Sequence, residues 1–199
     1  MDSHMQIHVS RALSTDLKRF LVQAPVNLQA MQWYAHRVHV LGRKCVIAME
    51  ARSRYAIVMT GLRKADFDQF PTLFHDRLWR EAVTICNLDE VRSERLAGLV
   101  DLVAQPVEII TGFDRSVLAH IRDVVWVLED KAQEVGSLPG SAAEEFAFGL
   151  YVNETPRFRG GDPESIYPLK VMRGFWLGLL ERTERRNSPD NVVPFNRLH

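Results

Sequence analysis

Residues 33–66 constrain the fold more than any other part of this chain. Three runs rich in β-branched and aromatic residues follow one another: Trp33 to Leu41, Cys45 to Ala51 and Tyr55 to Thr60. Gly42-Arg43-Lys44 separates the first two, and Arg52-Ser53-Arg54 separates the second from the third. Apolar runs of this length joined by short polar turns read as an antiparallel meander. Gly61 breaks the third run, and Gly61-Leu62-Arg63-Lys64-Ala65-Asp66 hands the chain over to a helical pattern. The same span carries a concentration of positive charge: Arg37, Arg43, Lys44, Arg52, Arg54, Arg63 and Lys64.

The flanking sequence supplies helices and two further strands. Gln6-Ile7-His8-Val9 alternates and reads as a first strand. Ser14 or Thr15 is placed to cap a helix carrying Leu17, Phe20 and Leu21, which Pro25 ends. Pro71 fits the first turn of a helix over 71–86, with Phe74, Leu78, Ala82 and Ile85 as its stripe. A second helix is expected over 89–104, and Val107 to Thr111 is strand-like. Asp114 caps a long helix reaching Val135. Phe146 to Val152 reads as helix with an extended exit, residues 153–166 as loop, and 168–183 as a helix apolar on more than one face. The expectation is therefore a single α+β domain over 5–183. Its small, mostly antiparallel sheet comes from 5–9, the meander 32–60, and 107–111. Three or four helices pack against it, the terminal one centrally. Met1-Asp2-Ser3-His4 reads as a cloning remnant, and 184–199 as a flexible tail in which Val192-Val193-Pro194-Phe195 could dock as a peptide.

Bulk properties narrow the function classes. A chain of 199 residues with 46% hydrophobic content suits one domain with a real core. Lys and Arg number 25, matched by 25 Asp and Glu, so a nucleic-acid binder would have to rely on a local patch rather than a global excess. Two cysteines, Cys45 and Cys86, give no disulfide framework. No run approaches the ~18 apolar residues of a membrane span, and the first residues lack the apolar core of a signal peptide. These features predict a cytoplasmic protein without a membrane segment.

The candidate ligand-binding residues are the meander cations Arg37, Arg43, Lys44, Arg54, Arg63 and Lys64, with Trp33, Tyr34 and Tyr55 near enough to stack on a base. The competing reading is a solvated sheet face whose charge blunts edge pairing. Arg115 and His120 open a helix five residues apart and are candidate catalytic residues for a phosphate-directed, nuclease-like enzyme. A surface histidine with Asp123 near it is the alternative. His36 and His39 fall on opposite faces of a strand and cannot share one metal. No cofactor or metal is expected, since the known nucleotide-loop, nucleophile-elbow, Cys-x-x-Cys and zinc-helix motifs are missing from the sequence.

The meander resembles an uncharacterised bacterial domain family of unknown function. The likeness lies in Trp33, the Gly42-Arg43-Lys44-Cys45 turn, Arg54-Tyr55, the segment from Gly61 to Asp66, Asn153-Glu154-Thr155-Pro156 and Tyr167-Pro168, and it covers most of residues 5–182. It implies kinship of fold and no mechanism. The function expected from the residues is non-enzymatic: a binding or regulatory module that meets a protein or nucleic acid through the basic meander.

Overall fold

The computed structural model describes residues 5–158 and 164–186. The proposed remnant 1–4, residues 159–163 of the expected loop, and the docking peptide 192–195 lie outside the described residues.

The meander forms as expected. Strands β2 (Met31–Val40), β3 (Arg43–Glu50) and β4 (Ala56–Leu62) pair antiparallel in sequence. The turn between β2 and β3 places Leu41 and Gly42 at φ 47° and 71°, the positive values that a two-residue hairpin of matching twist needs. The expectation of a mostly antiparallel sheet is corrected. Strand β1 (Met5–Val9) lies between β2 and β5 (Val107–Thr111) and runs parallel to both, giving the order β4-β3-β2-β1-β5. The reason is burial: all five residues of β1 are buried, as an interior strand covered on both faces requires.

Helices cover both faces, and seven α-helices occur among the described residues where three or four were expected. Helix α1 (Arg11–Ser14) begins one turn before the expected helix, because Ser10 caps it instead of Ser14 or Thr15; a 3-10 turn over Lys18–Phe20 follows. Helices α2 (Lys64–Phe67), α3 (Phe70–Cys86) and α4 (Glu90–Ala104) follow the meander. Leu13 of α1, Phe74 and Leu78 of α3 and Leu96 of α4 enclose one face around Trp33, Ala48 and Ile57. Helix α5 (Arg115–Val135) covers the other face with Val117, Ile121, Val124 and Leu128 against Ile47, Met49 and Val58. Helix α6 (Ala142–Glu154) runs beside β4, sending Phe146 and Leu150 to the first core and Val152 to the second.

Helix α7 (Pro168–Arg186) buries one stripe, Met172, Trp176 and Leu180, and packs chiefly on α3, α4 and α6. It is an outer helix rather than the centre of the domain. Its last turn replaces the start of the expected tail, because Glu184 pairs with Arg92 at 3.2 Å and Arg95 at 3.5 Å. The expected loop 153–166 contains the end of α6 and a small ladder of β6 (Arg157–Phe158) with β7 (Ser165–Ile166). No helix among the described residues is long and apolar enough to cross a membrane.

Candidate functional site: a crevice at the ends of two parallel strands

The six meander cations do not form one surface. Arg37, on β2, pairs with the carboxylate of Asp16, and Lys44, on β3, reaches the other oxygen of the same carboxylate at 2.8 Å. Burial of Asp16 opposes its ionisation, but the hydrogen bonds from Lys44 and Arg37 outweigh it and hold the carboxyl below the ordinary aspartate range. These two charges are therefore largely spent inside the fold. Arg43, Arg63 and Lys64 are exposed at the same end of the sheet and make no ion pair among the described residues. Arg54 sits at the far end of β4, roughly 23 Å away along seven residues of strand. It is buried with a left-handed backbone, φ 59°, and donates to the Ala51 carbonyl and to Ser116 Oγ at 3.0 Å.

Arg115 and His120 are not brought together. Five residues of helix turn their side chains about 140° apart. Arg115 is exposed, while His120 lies 3.5 Å from Asp123. Burial, followed by the nearby Arg157 and Arg54 charges, holds the His120 imidazole below its ordinary value.

The site that the topology creates lies elsewhere. Strands β1 and β5 end side by side, with Val9 opposite Thr111. From there the chain departs in opposite directions. Ser10 caps α1, which packs on the first face, and Asp114 caps α5, which packs on the second. A crevice opens where parallel neighbours part in this way, outside their carboxyl ends. Its volume is about 490 Å³.

His8, Tyr34 and His36 form its floor, with Arg11, Phe113 and Asp114 around the mouth. His8 is 3% exposed and stacks on Tyr34 with ring centroids 4.5 Å apart. His36 is half-buried, and its Nδ1 has no hydrogen-bond partner among the described residues. Burial, then Arg122 and Arg37, keeps the His36 imidazole below its ordinary value. Burial, then the Asp114 carboxylate, raises the Tyr34 phenol. The first turn of α5 borders the crevice: Asp114 Oδ1 accepts from the Val117 N–H at 3.0 Å, while the N–H groups of Arg115 and Ser116 have no helical acceptor. Among the described residues no three His, Cys, Asp or Glu side chains converge as a metal site.

Sequence reading places Asp114 as a cap and His8 in a strand, but does not join them. The available signal is a strand followed at once by a helix cap, which occurs twice, at Val9-Ser10 and at Thr111 to Asp114.

The architecture defines an α+β domain whose mixed sheet carries a crevice at the ends of its parallel strands. The chain belongs to the family described as a domain of unknown function, DUF6933, whose profile matches residues 6–171. Neither the curated proteins nor the solved structures compared with it give a match.

Proposed function

We propose that this protein is a binding module for a small anion-bearing molecule seated in the crevice between α1 and α5. The observation that carries the reading is the start of α5 at the crevice edge, where two main-chain N–H groups lack a helical acceptor and Arg11 stands opposite. The start of a long helix attracts negative charge by about 0.3–1 kcal/mol, and more where water is excluded. Arg11 stands at the mouth, and Arg122, outside the lining, adds to the positive field that helps hold the His36 imidazole down behind burial. A cytoplasmic setting, expected from the sequence, agrees with two buried free cysteines.

The test is amide-resolved NMR titration with glycerol 3-phosphate. Shifts are expected at Gly112, Asp114 and Ser116, weakened about tenfold by Arg11→Glu. A bound anion offsets the positive field on His36 and raises its pKa, so binding takes up a proton. Affinity should rise as pH falls towards the titration of the free His36 imidazole, which lies below its ordinary value. A crevice silent to millimolar probe would end the proposal.

A second reading rests on Arg43, Arg63 and Lys64, three exposed cations at one end of the sheet. They suit a nucleic-acid backbone. That binding would weaken steeply with salt and be lost in an R43E/R63E/K64E variant, with the crevice amides unmoved.

A further inference from the structure

The second face of the sheet carries a buried chain of amides that ends on His8. Gln6 and Gln32 lie on β1 and β2, 0% and 9% exposed. Gln6 Oε1 accepts from the main-chain N–H of Asn27 at 2.8 Å, and Gln6 Nε2 donates to the carbonyl of Pro25 at 2.8 Å and to Glu108 at 2.8 Å. Main-chain donors and acceptors cannot exchange roles, so this amide has one orientation. Gln32 is held in the same way: its Nε2 donates to the Asn27 carbonyl at 2.5 Å and to Gln6 Oε1 at 3.1 Å. Its remaining oxygen, Oε1, faces His8 Nε2. An amide oxygen can only accept, so His8 Nε2 carries a hydrogen. In the neutral ring the lone pair then belongs to Nδ1.

Nδ1 has no hydrogen-bond partner among the described residues, although the residue is 3% exposed. It is directed at Gly112, on the crevice wall, where a Cβ would stand 2.7 Å from it. Any side chain at position 112 would cover the atom. Tyr34, stacked at 14° to the imidazole, holds the ring plane. Nδ1 is not fully shut off from solvent, so a ligand that supplies a donor takes the place of water on it.

We infer that His8 Nδ1 is the fixed hydrogen-bond acceptor of the crevice, and that the ligand carries an O–H or N–H donor beside its negative group. This rests on the crevice being the anion site. Phosphate monoesters of polyols, or acids with a neighbouring hydroxyl, belong to the class; simple alkyl phosphates and carboxylates do not. His8 would distinguish them as a specificity residue, with Gln32 and Gln6 acting through it as positioning residues.

The experiment has two arms. Long-range 1H–15N spectra of the imidazoles, recorded in alkaline buffer, should show hydrogen of His8 on Nε2; hydrogen on Nδ1 would overturn the inference. Glycerol 3-phosphate and propyl phosphate are then titrated in parallel, since they share the anion and differ in the hydroxyls. The first should bind about three- to tenfold more tightly, one matched hydrogen bond, and His8→Phe should abolish the difference while both still bind. Should His8→Phe not fold, Gly112→Ala blocks the same atom and should also abolish it. Equal binding by the wild-type protein would refute the acceptor role and leave the anion reading standing. If neither phosphate moved the crevice amides, the anion reading would fall and this inference with it.

Discussion

Arg77→Met should be the most damaging single substitution of a charged residue in this protein. Arg77 projects from α3 beneath β4, with its side chain 7% exposed. Its Nε donates to Glu81 at 2.8 Å, and its Nη1 donates to Glu145 at 3.0 Å and to the Ala142 carbonyl at 2.9 Å. Glu81 also accepts from the Tyr55 hydroxyl at 2.8 Å, and Glu145 from the Thr60 N–H. One guanidinium thus serves two acids, 2% and 14% exposed, and ties α3 to α6. Methionine retains the apolar stem but leaves both carboxylates without a cation, which costs about 3–5 kcal/mol near pH 7. Burial raises Glu81 and Glu145 above the ordinary glutamate value even with Arg77 present, and its loss raises them further. The sign follows from proton counting. Between the unfolded and folded values the native state holds more protons, so stability is greatest below that window and is lost as pH rises through it. Urea unfolding followed by tryptophan fluorescence should therefore show a large deficit at about pH 7 that shrinks towards about pH 4.5. Adding Glu81→Gln, which keeps the Tyr55 contact, should restore part of the loss. A deficit below about 1 kcal/mol near neutrality, or one that ignored pH, would refute the claim that this network is buried and coupled.

Two smaller perturbations test the placement of the meander. Asp16→Ala should cost about 1–2 kcal/mol in urea unfolding, most of it from Arg37, because Lys44 is 36% exposed and solvent screens its share. Since the Asp16 carboxyl titrates below its ordinary value, that contribution is present above the unfolded value and disappears as pH falls through the folded one. The variant also frees two cations, so any weak DNA binding in low salt should increase; no change would argue against the nucleic-acid reading. Asn153→Ala should cost about 2–3 kcal/mol, because its amide bonds both the N–H and the carbonyl of Ala56, at 2.7 and 2.8 Å, and leaves them buried and unpaired. Hydrogen exchange at Ala56 should accelerate accordingly, and protection equal to the wild type would contradict the assignment.

What could be read from the sequence was what neighbouring residues decide among themselves. The meander was legible because hairpin turns and period-two runs are local, and α3 was legible because Pro71 marks its start and one stripe continues to Ile85. The position of β1 was not, because parallel pairing joins residues about a hundred positions apart and leaves no local mark. Its alternation gives no sign that the polar members are buried, yet Gln6 and His8 are interior because Gln32, Glu108 and the main chain of Pro25 and Asn27 satisfy them. The same non-locality misled the charge argument. Asp16 precedes the meander in the chain, and nothing in its spacing from Arg37 or Lys44 shows that it will neutralise both. The crevice is harder still to read, since its polar groups are single residues at strand ends with no motif in common. Ser10 and Asp114 become neighbours only once β1 and β5 lie parallel, and His8 becomes an acceptor only once two amides and two peptide groups have decided where its hydrogen sits. The polarity of that imidazole is thus set by the fold of the 25–27 loop, which carries no chemistry of its own.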